Sequence, residues 1–226
     1  MLQLQLMKKL LVTIFLQFFS FVFSQDYQFD YMLKANVLRE NPQFTIESYD
    51  MMNSKNHSYY MEVYKDKNAY RSFLIDNQIK IVHRFRELHF SENPMSFKYK
   101  NSNALSDYSY YNLSKFKIEK IGELTYKVTP EKILNPKEEH LEIEVKLEPF
   151  GDDLLVINFD LLSYSQRLEI ENLIKEKLKY ENLIGKYFIK EIIYKYKKNS
   201  TWTEKITPIR IDNHLILKNI KLNLVK

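Results

Sequence analysis

Residues 141–148, with the sequence LEIEVKLE, decide the fold class, because apolar and charged residues alternate through them without exception. Alternation at a period of two places the aliphatic side chains on one face of a β-strand and the charged side chains on the other. The same alternation closes the chain, where Ile220, Leu222 and Leu224 share a face. We therefore expect a mostly β protein whose strands each bury one face.

Turn-forming residues divide the chain into further strands, since Asp and Asn tolerate the backbone of tight turns. The candidate turns are Asp66-Lys67-Asn68, Asp76-Asn77, Gly151-Asp152-Asp153 and Asp212-Asn213. They predict hairpins, among them one that returns through a strand over residues 154–162 and one that joins strands 209–211 and 214–217. Consecutive hairpins form a meander, here of about eight to eleven antiparallel strands.

One segment breaks the period of two. Ser163 and Gln166 have capping-box spacing, and the apolar residues that follow recur at helical intervals, at Ile170, Leu173, Ile174 and Leu178. They predict a helix from about Tyr164 to Tyr180, after which the chain turns back at Gly185. The predicted fold is a single curved antiparallel meander sheet, as a half-barrel or two layers, with one packed amphipathic helix.

The N-terminus has the three parts of a secretory signal peptide: Lys8 and Lys9, an apolar run over 10–23, and the small residue Ser24 before the cleavage point. The run is shorter than the roughly 20 apolar residues that span a bilayer. We expect residues 1–24 to be the signal peptide, with Met7 as an alternative start, and 25–226 to be a single β-rich domain. The processed protein is then in the periplasm or outside the cell, with no transmembrane segment.

Composition excludes several classes of function. The chain has no cysteine, which excludes disulfides, a thiol nucleophile, a thiolate metal site and a lipid anchor on cysteine. Three glycines leave no phosphate-cradling loop. The net charge of +5 includes the two leader lysines, and Lys and Glu alternate elsewhere, so nucleic acid is not an expected partner.

One pattern could hold a metal, because His83, Glu87 and His89 have equal parity on a strand and could offer three ligands to zinc. Phe85 would lie between them on that face, which favours an ordinary strand. The sequence has no strained nucleophile turn of the hydrolase type. We therefore predict no catalytic, cofactor or metal residues, and look for a binding loop first in the long connection over 91–112, which carries one short strand at 97–100.

The leader ending in Phe23-Ser24-Gln25, the wealth of Lys, Asn, Ile, Tyr and Phe, and the segment 52–61 resemble uncharacterised exported β-rich proteins of the flavobacterial (Bacteroidota) group. More distantly, residues 182–189 are similar in position to the motif of the GLPGLI group, but they hold Gly185 and no proline. Neither resemblance implies a catalytic residue. The expected curved sheet with a helix also resembles periplasmic lipoprotein carriers of the LolA type, a likeness of fold.

These observations predict a noncatalytic envelope or secreted protein that binds a lipid or other apolar ligand, or an envelope protein. Two alternatives remain open. A hydrolase of envelope polymers would gather titratable groups in a cleft, and a structural subunit of a surface or secretion assembly would expose a large apolar patch.

Overall fold

The computed structural model describes residues 24–40, 43–66, 69–89, 96–105, 115–132, 141–159, 162–196 and 201–221. These residues form eleven strands and one helix. In chain order they are β1 (Ser24–Arg39), β2 (Phe44–Asn53), β3 (Asn56–Asp66), β4 (Ala69–Asp76), β5 (Ile81–His89), β6 (Ser96–Ala104), β7 (Phe116–Gly122), β8 (Thr125–Pro130), β9 (Leu141–Phe150), α1 (Tyr164–Tyr180), β10 (Lys186–Tyr196) and β11 (Thr201–Lys221). Among them, no helix is long and apolar enough to cross a membrane.

All eleven strands belong to one antiparallel sheet in the order β6-β5-β4-β3-β2-β1-β11-β10-β9-β8-β7. Every neighbouring pair except β1–β11 joins strands that are consecutive in the chain, so the sheet consists of two meanders. The first and last strands of the chain, β1 and β11, pair with each other and thereby connect the two meanders. The edge strands β6 and β7 are not paired with each other, and the sheet stays open. The predicted mostly β meander is confirmed.

The sheet is strongly curved around the helix. Arg167 Nη1 donates to the Tyr60 hydroxyl on β3 at 2.8 Å, and the backbone N–H of Phe116 on β7 donates to Glu169 Oε1 at 3.1 Å. In a flat sheet β3 and β7 would be roughly 34 Å apart, because seven strand intervals of about 4.8 Å separate them. Two helix residues separated by about 3 Å of axial rise reach both strands, so the sheet must curl.

Helix α1 has the predicted bounds and the predicted cap. The Ser163 hydroxyl accepts from Gln166 N, and the Gln166 side chain accepts from Ser163 N, which satisfies two of the free backbone donors at the helix start. Ile170, Ile174 and Leu178 are buried against the sheet, in a core with Ile143, Val145 and Tyr194 on β9 and β10. The side of the sheet that faces α1 is called the helix side below.

The predicted strand over 154–162 is wrong. Of its described residues, only Leu154 makes a ladder contact, an isolated parallel bridge to Phe188, and the others are irregular. The segment leaves the sheet and enters the curve, because side chains provide its backbone with hydrogen bonds that a neighbouring strand would otherwise provide. Ile157 N donates to Glu171 Oε1 at 2.8 Å, and Leu155 N donates to Asp153 Oδ1 at 3.3 Å.

The predicted hairpin at Asp212-Asn213 is also wrong, since β11 continues through these residues as a single 21-residue strand. Between the pairs Phe29–Leu215 and Tyr31–Arg210, β11 has more residues than β1, which is a bulge. Residues that form turns also suit bulges, where the chain needs a local bend.

Opposite the bulge in β11, near Asp30, β1 changes the face that it buries. Tyr31 and Leu33 pack on the helix side with Leu154 and Phe188. Before the bulge, Tyr27 and Phe29 pack on the opposite side, in a second core with residues of β2 to β5, which are Met51, Tyr59, Met61, Val63, Leu74 and Phe85. The sheet thus buries different faces in its two halves: the helix side along β7–β10 and the opposite side along β2–β5.

The strand predicted at 97–100 is longer than expected and forms β6, Ser96–Ala104. Most of the remaining predicted binding loop, over 91–95 and 106–112, lies outside the described residues.

Candidate binding cleft

A cleft of about 560 Å³ opens on the helix side of the sheet. Its walls come from four adjacent strands, β3, β2, β1 and β11, and from Asn158 and Phe159. These two residues belong to the segment 154–159 inside the curve, which is called the inner segment below. Pockets of about 300 to 1,000 Å³ hold small molecules in proteins. The size of the cleft therefore suits a small ligand.

Part of the cleft wall is apolar and aromatic. Val37 and Ile46 face it from β1 and β2, and Phe159 and Trp202 face it from the inner segment and β11. Phe159 is held in place by stacking on Tyr194, with ring centroids 3.8 Å apart and planes 12° apart. Trp202 is half-buried, and the Arg39 guanidinium lies 5.4 Å from its ring centroid. Rigid aromatic walls of this kind can pack against an apolar ligand.

Three carboxylates and one lysine make the rest of the lining acidic. Asp50 on β2 and Glu62 on β3 are direct cross-strand partners and share a face. Glu204 joins them from β11, where it pairs with Val37, and Lys65 is the basic residue of the lining. Carboxylates beside a Trp face favour a cationic or hydrogen-bond-donating group, through charge and through the ring quadrupole.

Helix α1 fastens the inner wall of the cleft. Arg167 Nη1 donates to Asn158 Oδ1 at 2.7 Å as well as to Tyr60, and Asn158 Nδ2 donates to Glu62 Oε1 at 3.0 Å. Arg167 is only 9% exposed. One buried guanidinium therefore connects the helix, the inner segment and β3, and it fixes the position of a cleft carboxylate.

Glu171 completes this attachment one turn further along α1. It is 7% exposed, and burial raises its pKa to about 7, although the Ile157 N–H and the nearby Lys175 and Arg167 charges act in the opposite direction. A group of this kind changes protonation near neutral pH while holding the backbone of the inner segment.

Below the cleft, the described part of the curve is filled by the chain itself. An enclosed space of about 20 Å³, next to Asp50, Asn158 and Glu204, has room for about one water molecule. The inner segment and α1 lie inside the curve, so the open cleft is the larger of these two spaces.

A buried polar cluster lies on the opposite face of the sheet. The Tyr27 hydroxyl donates to Asp76 Oδ2 at 3.0 Å and lies 3.2 Å from His83 Nε2, while His83 Nδ1 lies 2.7 Å from Ser102 Oγ. Because the Tyr27 proton is used on Asp76, His83 must carry its proton on Nε2 and accept from Ser102 at Nδ1.

The cluster contains an acid, a histidine and a serine, which are the residue types of a hydrolase triad, but they are not arranged as a triad. The acid and the imidazole are joined through Tyr27 rather than directly, and Ser102 and His83 are 0% and 1% exposed. Burial lowers the pKa of His83 and raises that of Tyr27, so both are neutral at pH 7. The cluster is enclosed. Through it, β1 is connected by Tyr27 to Asp76 on β4 and His83 on β5, and His83 is connected to Ser102 on β6.

The zinc pattern proposed from the sequence has one described member, His83, whose two ring nitrogens contact Tyr27 and Ser102. The side chains of Glu87 and His89 lie outside the described residues, and a register shift separates the two positions in the β5–β6 pairing. Within the described side chains, no group of three His, Cys, Asp or Glu residues could hold a metal. The prediction of no metal residues stays a prediction.

Sequence reasoning did not find the cleft. Its wall residues range from Val37 to Glu204 and come together only through the β1–β11 pairing and the curvature of the sheet. The one available signal was the single tryptophan, Trp202, which is half-buried in the cleft wall. Of the tyrosines on β3, Tyr59 and Tyr60 are buried in packing, and Tyr64 lines the cleft.

The chain matches no family model, and it shows no significant similarity to a curated protein.

Proposed function

We propose that this chain is an exported, noncatalytic protein of the cell envelope or of secretions, and that it binds a ligand with an apolar body in the cleft. The observation that carries the proposal is the lining of the cleft, with Phe159 and Trp202 on one side and Asp50, Glu62 and Glu204 on the other. A ligand with an apolar body and a cationic or N–H donor group fits this lining.

The export part of the proposal rests on the leader pattern and on its agreement with the fold. β1 begins at Ser24, next to the predicted cleavage point. Removal of residues 1–24 would leave β1 paired with β11 from Gln25 onward and with β2 from Tyr31 onward. Expression in a bacterial host with the native leader, followed by mass measurement of the exported protein, tests it. We expect a chain that begins at Gln25, and an exclusively full-length, cell-associated product would contradict it.

The ligand part is tested by titration with two amphiphiles of equal chain length, dodecyltrimethylammonium and dodecyl sulfate, each below its critical micelle concentration. Trp202 is the only tryptophan and lines the cleft, so its fluorescence reports binding directly. We expect saturable binding of the cation, at least roughly tenfold tighter than that of the anion. Equal affinity, or a fluorescence that does not change, would contradict the proposal.

A matched pair of variants separates the cleft from the general charge of the protein. Glu62→Gln removes a cleft carboxylate and is expected to weaken binding of the cation. Glu47→Gln removes a carboxylate from the other face of the neighbouring strand, where Glu47 pairs with Lys34, and is expected to leave binding unchanged. Equal effects of the two substitutions would place the cation elsewhere.

A further inference from the structure

The turn between α1 and β10 exposes a large aliphatic side chain almost completely. Ile184 is 95% exposed, and Tyr180, in the last turn of α1, is 81% exposed. Single exposed apolar residues are common on protein surfaces. Here two large ones lie four residues apart, beside an apolar groove. We call Tyr180, Leu183 and Ile184 the tip.

The backbone holds the tip in a defined conformation. Asn182 has a φ of 56°, and the N–H groups of Asn182 and Leu183 donate to the carbonyls of Lys179 and Leu178, both at distances near 3 Å. This is the Schellman arrangement, in which a left-handed residue ends the helix. Leu183 returns toward the core near Leu178, and the following residue, Ile184, is then directed to solvent. Its exposure is built into the turn.

An apolar groove of about 270 Å³ lies next to the tip. Leu155, Leu178, Leu183 and Tyr187 form its apolar wall. Its charged residues are mainly basic: Lys175, Lys179 and Lys186 line it, against Asp153. Lys175 pairs with Asp153 at 2.9 Å and Lys186 with Asp152 at 3.3 Å, so both ammonium groups are held close to the groove.

We propose that this surface docks on an anionic lipid bilayer, with Ile184 and Tyr180 in the interfacial region and the groove lysines at the lipid phosphates. The charge of the groove selects this partner, because its three lysines outnumber the two aspartates that pair with Lys175 and Lys186, and the remaining positive charge complements an anionic headgroup layer. A tyrosine beside an aliphatic residue suits the membrane–water interface, where one end of the ring is apolar and the hydroxyl remains hydrated. The proposal is independent of the cleft and of its ligand.

The test is co-sedimentation of the purified protein with vesicles of phosphatidylglycerol and phosphatidylcholine, compared with vesicles of phosphatidylcholine alone. We expect binding to the anionic vesicles that weakens as sodium chloride is added, since salt screens the lysine contribution. Absence of binding would overturn the proposal. Equal binding to both vesicle types would overturn its electrostatic part.

Matched variants locate the contact. Ile184→Asp is expected to reduce the partition coefficient at least roughly tenfold, because an isoleucine side chain contributes about that factor when it leaves water. The control is Ile216→Asp on β11, where the isoleucine is 44% exposed. Lys179→Glu is expected to weaken binding about fivefold or more, against Lys218→Glu, another exposed lysine. Every variant has the same N-terminal residues, so those residues contribute equally to vesicle binding in all of them. Differences in binding between the variants therefore report on the tip and its lysines.

A spectroscopic measurement covers the case in which charge substitutions disturb folding. In a Trp202→Phe background, Ile184→Trp places the single tryptophan of the chain at the tip. We expect its emission to shift to shorter wavelength when anionic vesicles are added. An unchanged emission from a folded protein would show that the tip stays in water and would overturn the proposal.

Discussion

Glu171 should make the protein less stable as the pH rises through neutrality. Its carboxyl is buried and its pKa is raised from 4.5 to about 7. Between these two values the native state holds the proton and the unfolded chain releases it, so stability falls as the pH rises. At 1.36 kcal/mol per pKa unit, the complete effect is about 3 kcal/mol, and it is fully developed above pH 7.

Glu171→Gln removes the titration and leaves an amide oxygen that can still accept from Ile157 N. We expect the free energy of unfolding of the native protein to fall by about 2 to 3 kcal/mol more than that of the variant between pH 5 and pH 8. Urea unfolding at both pH values measures it. The other titrating groups, including His57 and His83, are common to both proteins and cancel in the comparison.

The reasoning would be refuted by a variant that loses as much stability as the native protein over this range. It would also be refuted if Glu171→Gln were less stable than the native protein at pH 8 by several kcal/mol. The ionised carboxylate would then be a stabilising partner of Arg167 and Lys175 rather than a buried charge that destabilises the fold.

Two further predictions concern the hydrogen bonds that hold the strands and the helix. Tyr27→Phe should reduce the free energy of unfolding by about 1 to 3 kcal/mol, because Asp76 loses a buried donor. Tyr180→Phe, at an exposed ring, should have no measurable effect. Equal losses of stability in urea unfolding would contradict this prediction. Ser163→Ala should reduce the free energy of unfolding by about 1 kcal/mol, because Gln166 N loses its acceptor. Ser163→Thr keeps a hydroxyl and should retain most of the stability. An equal loss of stability in the threonine and alanine variants would contradict the role of Ser163 as the helix cap.

Local patterns predicted helix α1 with its observed bounds, because its determinants lie within the segment. The Ser163–Gln166 capping box and the recurrence of Ile170, Ile174 and Leu178 require no knowledge of the rest of the chain. The strand alternation over 141–148 succeeded for the same reason, and β9 buries the aliphatic residues that it predicted.

The wrong predictions concern segments whose backbone conformation is determined by contacts between residues far apart in the chain. The apolar residues of 154–162 suit a strand, but Glu171 and Arg167 hold this segment inside the curve through bonds to Ile157 and Asn158. At Asp212-Asn213, turn-forming residues accompany a bulge opposite β1, and this depends on the β1–β11 register. The cleft depends on both features, so sequence patterns alone could not locate it.

Native mass spectrometry of the protein isolated from cells that produce it tests whether the cleft holds a ligand. We expect the mass of the processed chain plus one small molecule, and loss of the added mass when Trp202→Ala removes an aromatic wall. A bare protein mass under conditions that retain noncovalent ligands, or an added mass that Trp202→Ala leaves in place, would contradict the claim.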